Sequence, residues 1–220
     1  MSSAIAGSPT ISPEGLVARN PLTHRLKVRK ATPDDAHDIL RVACSVGNSV
    51  QDPSMGFLLT NYASDPLRYR REFARKALEM DHFYVAESKR VCGFLMACGR
   101  DAWLEYYPDW QARTHWHPEF DRRDLEKFVV VDRTAVMAGS TGQGIGSMLY
   151  ERLLGDINLK GIENVFAETV IAPAPNYASL EFRRKQKYRL VGVRYEGIDG
   201  TFYTSLVYMK KLPRNGRSQG

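Results

Sequence analysis

The feature that most restricts the fold of this sequence is a run of alternating glycines between a strand and a helix. Residues 128–137, FVVVDRTAVM, have the β-branched pattern of a buried strand. Gly142, Gly144 and Gly146 follow, and a helix with an apolar stripe is predicted over about 147–159. Glycines let the backbone approach a ligand, and a helix N-terminus offers unpaired N–H groups. This turn is therefore predicted to bind a phosphate or pyrophosphate.

Three other interpretations of the glycine turn can be compared with its spacing. A nucleotide P-loop needs Lys and then Ser or Thr after its last glycine, whereas Ile145 and Gly146 follow GSTGQG here. A dinucleotide-binding fingerprint counted from Gly142 would end at Ser147 instead of glycine, and the turn lies far from the first strand. A plain strand-to-helix turn remains open.

Length and composition predict one globular domain in a mixed α/β arrangement. The chain has 220 residues, of which 43% are hydrophobic and 25% charged. We expect a flexible N-terminal arm over 1–24, a folded domain over 25–212 and a tail over 213–220. No run of about 18–20 apolar residues is present, so a membrane-spanning protein is excluded. Three cysteines cannot make a disulfide framework, which favours a reducing, cytoplasmic location.

The net charge of +6 raises the question of nucleic-acid binding, and its distribution argues against it. Residues 1–30 carry a net charge of +4, and residues 210–220 carry another +4. The remaining residues, 31–209, carry −2. A nucleic-acid binder should present basic charge over a folded face. Nucleic acid is therefore not an expected partner.

Hydrophobic patterns predict the remaining elements. A first strand is expected over 26–31, followed by a helix that starts at TPD and a second helix over 67–80, with Leu67, Phe73, Ala77 and Leu78 facing inward. HFYVAES and VCGFLMAC are typical of an antiparallel hairpin. The aromatic segment 100–124 is predicted to be irregular and free of core packing. It could set substrate specificity, or it could be a lid or a dimer contact.

Two motifs at matching separation resemble the GNAT family of acetyl-CoA-dependent N-acetyltransferases. The family's pyrophosphate loop, [RQ]-x-x-G-x-[GA] after a strand ending in Val, matches Val136 and the run 141–146, except that Thr141 stands where Arg or Gln is usual. The family's N-x-x-[AS]-x-x-[LF] helix matches NYASLEF, with Asn176, Ser179 and Phe182 in register.

This resemblance implies a single mixed, mostly antiparallel sheet flanked by helices on both faces. It also implies transfer of an acetyl group from acetyl-CoA to a small-molecule or peptide amine, without a metal, and a homodimer is possible. A non-catalytic, acyl-CoA-binding regulatory domain of the same fold is the alternative. The residues that the resemblance assigns to the cofactor are Val136, Met137, Ala138, Thr141, Gly142, Gln143, Gly144, Ile145, Gly146, Ser147, Asn176, Ser179 and Phe182.

The acceptor amine must lose a proton before it attacks, which calls for a carboxylate or a water relay. The candidate bases are Asp132, which has the strand parity of Val136, Glu168 on the following strand, and Glu105 in the aromatic segment. Each could instead be a structural or solvated acid. Arg183 stands where many family members have a proton-donating Tyr. Arginine cannot donate a proton at pH 7, so Arg183 is expected to stabilise the leaving thiolate or to contact a phosphate.

Overall fold

The computed structural model describes residues 26–48, 56–198 and 200–213. These residues form one eight-stranded sheet with six α-helices. The predicted fold class, a mixed sheet with helices on both faces, is confirmed. The predicted arm, 1–24, and all of the predicted tail except Pro213 lie outside the described residues.

The elements follow the predicted order, with additions in the aromatic segment. The strands are β1 (Lys27–Lys30), β2 (His82–Glu87), β3 (Val91–Gly99), β4 (Thr114–Trp116), β5 (Phe128–Val136), β6 (Asn164–Ala172), β7 (Arg189–Ile198) and β8 (Thr201–Lys211). The α-helices are α1 (Ala36–Val46), α2 (Pro66–Glu79), α3 (Arg100–Tyr106), α4 (Trp110–Arg113), α5 (Ile145–Leu159) and α6 (Tyr177–Lys185). Helix α5 starts two residues before the predicted position because Gly144, in the left-handed conformation, is its N-cap.

The sheet order is β1-β2-β3-β5-β6-β8-β7-β4, and within it only β5 and β6 run parallel. That parallel pairing extends from Phe128–Asn164 to Val131–Ala167 and then stops. Beyond this point β5 continues along β3, and β6 continues along β8. We call the point where β5 and β6 separate the fork.

Helices cover both faces of the sheet, as the alternation of apolar side chains in β2 and β3 requires. Phe83, Val85, Phe94 and Met96 pack with α1 and α2 on one face. Tyr84, Ala86, Leu95 and Ala97 pack with α5 on the other. Both strands are therefore buried on both sides, and each fully buried large side chain contributes about 1.5–3 kcal/mol.

The start of α1 is fixed to β1 by an ion-pair network, at the predicted TPD helix start. A short 3-10 turn over Pro33–Asp35 precedes α1. The Asp35 carboxylate accepts a hydrogen bond of 2.8 Å from the Thr32 N–H and two from the Arg29 guanidinium, at 2.7 and 2.8 Å. The Arg29 guanidinium holds the pKa of Asp35 below its usual range. Strand β1 and helix α1 are thus joined by charge as well as by packing.

The predicted inward face of α2 is only partly correct. Phe73 is buried in the core, and Ala77 packs against the core. Leu67 and Leu78, in contrast, are 64% and 75% exposed. On a helix of 3.6 residues per turn, these two leucines lie about 120° and about 140° around the axis from Phe73. The buried stripe of α2 is therefore narrower than the sequence pattern indicated.

The aromatic segment is not irregular, contrary to the prediction. It contains α3, α4 and β4, and β4 pairs with β7 at the edge of the sheet. Trp103, Trp110 and Phe120 are buried and form a cluster with Phe128 and Phe166 of the central strands. The segment therefore packs a core of its own against the β5–β6 face, because large rings gain most free energy when they are buried together.

A buried histidine couples the sheet to the C-terminal half of α5. His82 is 2% exposed, and its Nδ1 lies 3.0 Å from the Tyr84 hydroxyl, which donates to Asp156 at 2.9 Å. Since Tyr84 gives its proton to Asp156, Nδ1 of His82 must be the donor to Tyr84. Burial, together with the positive charge of Lys160 and Lys30, lowers the pKa of His82 to about 4.

This network predicts a loss of stability in mild acid. The unfolded chain binds a proton at His82 below pH about 6.5, whereas the folded protein does so only below about 4. The free energy of unfolding should therefore fall as the pH falls through that window. His82→Gln, which can still donate to Tyr84, should flatten this dependence in urea unfolding curves. His37→Gln, on the exposed face of α1, is the control. Parallel pH dependences for the parent and His82→Gln would contradict this account.

Candidate active site

The fork opens a gap in the middle of the sheet. Past Val131 and Ala167, the facing edges of β5 and β6 no longer hydrogen-bond to each other. The Met137 N–H donates to the Cys92 carbonyl of β3 at 2.8 Å. Because alternate residues of a strand turn their N–H groups to opposite edges, the N–H groups of Val136 and Thr134 face the gap. The gap therefore offers backbone donors to a bound group.

The glycine loop, residues 137–144, follows β5 at one end of this gap. Gly139, Gly142 and Gly144 have φ angles of 83°, 78° and 80°. A Cβ built on Gly142 or Gly144 would have no atom within 4 Å, so the space over the loop is open. The loop ends at the N-terminus of α5, where unpaired N–H groups and the helix dipole favour an anion. The loop is thus open and ends at a helix N-terminus, as a phosphate cradle requires, and phosphate binding here stays a prediction.

Gly146 serves a different purpose from the other two glycines of the motif. A Cβ on Gly146 would lie 3.3 Å from Cε2 of Phe182, so this glycine lets α6 approach the first turn of α5. The Phe182 ring also packs on Tyr150, with ring centroids 4.8 Å apart. The predicted matches on α5 and α6 are thus in direct contact.

Asn176 caps α6 and ties it to a distant segment. Its side-chain oxygen accepts from the Ser179 N–H at 3.1 Å, and its amide donates to the Phe57 carbonyl at 2.9 Å. Gly56 lies so close that an added Cβ would be 3.0 Å from the Asn176 oxygen. Asn176 is therefore a structural anchor as well as a residue of the cleft wall.

One cleft of about 1410 Å³ joins these features. Its walls come from the glycine loop, α5, α6, the segment 56–61, β5 past the fork, α3, β7 and β8. The predicted site residues that line it are Asp132, Val136, Thr141, Gly142, Gly144, Ile145, Gly146, Ser147, Glu168, Asn176, Ser179, Phe182 and Arg183. Glu105, Met137, Ala138 and Gln143 are not among the lining residues.

The absence of Met137 and Ala138 from the cleft wall has a clear cause. The Met137 N–H is bonded to β3, and its carbonyl accepts from Ser140 at 2.9 Å. The Ala138 N–H donates to the hydroxyl of Ser45 on α1 at 3.1 Å. The backbone pairing expected over 136–138 is therefore limited to Val136 on this edge.

The parity expected between Asp132 and Val136 is interrupted by a β-bulge. Arg133 pairs with Met96 and Val131 with Ala97, so Asp132 is an extra residue in β5. Val131 and Val136 pack on the α5 face. Asp132 lies beside Arg133, whose Nε is 3.8 Å from the Asp132 carboxylate. The Arg133 guanidinium donates to Tyr62 of the opposite face at 2.6 Å. The bulge thus turns Asp132 away from the Val136 side.

Glu168 is the first residue of β6 past the fork, and its surroundings distinguish it from the other candidate bases. Its side chain is 20% exposed, accepts a hydrogen bond from the indole N–H of Trp110, and lies 3.3 Å from the Arg194 guanidinium. Burial raises the pKa of Glu168, although Arg194 and Trp110 oppose this effect. A carboxylate with a raised pKa in the wall of a cleft has the properties of a general base.

Glu105 does not share this environment. It is exposed on α3 and lies outside the cleft wall. The structure does not bring it to the fork, because the α3 face that carries Trp103 packs on the sheet and Glu105 points away from that face. The expectation that Glu105 could act as the base is therefore not supported by its position.

Arg183 is buried, only 7% exposed, in the wall of the cleft on the α5 side. It donates to the Tyr150 hydroxyl, and its guanidinium lies 5.5 Å from the Tyr150 ring centroid and 5.2 Å from that of Tyr188. Its Nε has no partner, and among the described residues no carboxylate pairs with it. A buried cation without a counter-ion is costly, so this site is suited to an anionic group.

Sequence reasoning missed the polar group that surrounds Glu168. Arg194 and Glu196 of β7 line the cleft with Tyr107, which follows α3. Their alternate spacing in the otherwise apolar strand sequence VGVRYEG places both on one face, which was an available signal. The described residues contain no group of three or more potential metal ligands. None of the helices described is long and apolar enough to span a bilayer.

Comparison with solved structures shows the fold. An N-acetyltransferase from Staphylococcus aureus Mu50 aligns with a TM-score of 0.56 at 16% identity, covering 86% of this chain and 99% of its own. The ribosomal-protein-alanine N-acetyltransferase from Brucella melitensis gives 0.53 at 18% identity, over 84% and 99%. The yncA protein of Salmonella typhimurium, solved with its cofactor acetyl-CoA, gives 0.52 at 14% identity, over 87% and 96%.

The chain therefore has the fold of the GNAT N-acetyltransferases, as the two sequence motifs predicted. No protein-family model matches the sequence, and no curated protein matches it either. The likeness to these proteins is therefore one of fold.

The open glycine loop predicts a charge-specific effect on acetyl-CoA binding. Gly144→Asp should weaken the affinity roughly tenfold or more, about 1.4 kcal/mol, because it places a carboxylate where an anion should lie. Gly144→Asn is the matched control, since Asn tolerates the same positive φ without the charge. Calorimetric titration gives the affinities, and circular dichroism checks the fold. Equal affinities for the Asp and Asn variants would show that no anion binds at this loop.

Proposed function

We propose that this protein is an N-acetyltransferase that transfers the acetyl group of acetyl-CoA directly to an amine. The observation that carries the proposal is the junction of three features in one cleft. An open glycine loop at the N-terminus of α5, a gap between β5 and β6 with free backbone donors, and a buried carboxylate at the fork all line it. Each of the three meets one requirement of acyl transfer from a thioester.

The glycine loop would hold the pyrophosphate of acetyl-CoA through backbone N–H groups. Gly142, Gly144 and Ser147 line this end of the cleft. Thr141 replaces the usual Arg or Gln, so the helix dipole and the backbone supply most of the attraction. The pantetheine arm would then enter the gap beside Val136, where an extended chain can hydrogen-bond to an unpaired strand edge.

The acceptor amine would approach from the side of the aromatic cluster. Glu168 would take the proton from the acceptor's ammonium group, because burial raises the pKa of Glu168. The N–H of Val136 faces the gap and would donate to the thioester oxygen as negative charge develops there. Arg183, on the opposite face of the fork, would oppose the charge of the leaving thiolate.

The proposal is tested by steady-state release of thiol from acetyl-CoA over a panel of small primary amines and peptides with free N-termini. Turnover that depends on both substrates is the expected result. Tight acetyl-CoA binding without turnover over the whole panel would overturn the catalytic proposal. That outcome would support a regulatory, non-catalytic domain.

With the best amine of that panel, Glu168→Gln should lower kcat by roughly 10²-fold or more, since the base is lost while the side chain keeps its shape. Glu105→Gln, exposed on α3 outside the cleft, is the control and should match the parent. Asp132→Asn is measured in parallel. A larger loss of kcat in Asp132→Asn than in Glu168→Gln would identify Asp132 of β5 as the base.

Arg183 provides a second kinetic test. Arg183→Ala should lower kcat, and Arg183→Lys should restore part of it, because the role is electrostatic. Arg183→Tyr tests whether the proton donor usual at this position fits here. Thermal unfolding of each variant separates loss of packing around Tyr150 from loss of charge. Equal rates for the parent, Arg183→Ala and Arg183→Tyr would exclude a catalytic role for Arg183.

A further inference from the structure

Glu168 is held by donors from two elements that are distant in the chain. The Trp110 indole N–H, from α4, donates to Oε1. Nη1 of Arg194, from β7, lies 3.3 Å from both carboxylate oxygens. Arg194 reaches Glu168 across β8, which separates β7 from β6 in the sheet. The carboxylate is therefore held on two sides, by Trp110 and by Arg194.

Trp110 is a rigid donor. It is 1% exposed, and its ring packs edge-to-face on Phe166, with centroids 5.7 Å apart, and against Trp116 and Phe128 at 5.5 and 5.6 Å. Indole has one N–H and no acceptor. Since the ring cannot turn without disturbing these contacts, its N–H stays directed at Glu168.

Arg194 is shared between two carboxylates. Its side chain is 8% exposed, and Nη2 donates to Glu196 at 2.8 Å. Glu196 is 33% exposed and therefore lies nearer to solvent than Glu168. The shorter contact is with Glu196, which draws the guanidinium toward itself. Glu196 thus sets how completely Arg194 neutralises Glu168.

We propose that Trp110, Arg194 and Glu196 are positioning residues that hold the Glu168 carboxylate in the orientation in which it takes the acceptor's proton. This inference rests on the proposed function, with Glu168 as the base. The aromatic segment then has a specific purpose. It supplies the buried aromatic rings beside Glu168 and the indole N–H that orients its carboxylate, in addition to any contact with the acceptor.

The network predicts whether each substitution raises or lowers the pKa of Glu168. Arg194 and the Trp110 hydrogen bond lower the pKa of Glu168, and the charge of Glu196 raises it. Tyr107, which follows α3, and the β5 pair Asp132 and Arg133 line the same cleft. They are unchanged in every variant below, so their effect cancels in the comparison.

The test is the pH profile of kcat/KM, whose acid limb reports the base in the free enzyme. Glu196→Gln should move that limb to lower pH, by on the order of half a unit, because a negative charge is lost and Arg194 is released to Glu168. Trp110→Phe should move it to higher pH, because the charged form loses a hydrogen bond. A merely structural network would lower stability without opposite shifts of this kind.

Controls keep the two proposals separate. Glu119→Gln, exposed in the connection after β4, should leave the profile unchanged. If Trp110→Phe does not fold, the shift in Glu196→Gln alone tests the inference. Titration of the Glu168 carboxyl by carbon NMR gives its pKa without turnover. The signal is assigned by its loss in Glu168→Gln. No thiol release by the parent would overturn the proposed function. If the parent is active but has the same acid limb of kcat/KM and the same Glu168 titration as Glu196→Gln, this inference is overturned and the proposed function is not.

Discussion

The rest of the site depends on the short parallel pairing of β5 with β6. Strand β5 also pairs with β3, and β6 with β8, in antiparallel pairings that are longer than the four shared pairs of β5 and β6. After the fourth pair, each strand stays bonded only to its antiparallel neighbour. The right-handed twist of a sheet separates strands that are no longer bonded to each other. Backbone groups on the open edges then lack partners, which a buried backbone avoids unless a ligand or water supplies them. The unpaired backbone groups are thus the feature that suits the gap to an extended ligand.

The fork also separates two chemical environments. On the α5 side lie the open glycine loop and the Arg183 guanidinium, both suited to negative charge. On the other side lie carboxylates beside a wall of packed aromatic rings. A group that passes through the gap therefore has positive potential behind it and proton acceptors in front of it. That polarity is what a reaction between a thioester and an ammonium group requires.

The sequence predicted what depends on local pattern. The glycine loop, the helix that follows it, the helix after Asn176 and the hairpin of β2 and β3 follow from spacing over a few residues. It did not predict what depends on long-range register. The bulge that displaces Asp132 is defined only against β3, and the contact of Arg194 with Glu168 crosses an intervening strand. The core packing of the aromatic segment is likewise not visible locally, because its rings pack on Phe128 and Phe166 of strands that follow it in the chain.

Asn176 has a consequence for how two molecules could share the cleft. Its amide joins α6, which lines the loop end, to the segment 56–61, which comes from the connection between α1 and α2. Gly56 packs so closely on the Asn176 side chain that an added Cβ would be only 3.0 Å from its oxygen. A compound that displaced one wall would act on the other through this hydrogen bond, and by thermodynamic reciprocity compounds bound against the two walls would change each other's affinity equally. Under the proposed function, a single asparagine side chain would couple the affinities of the two substrates that share the cleft.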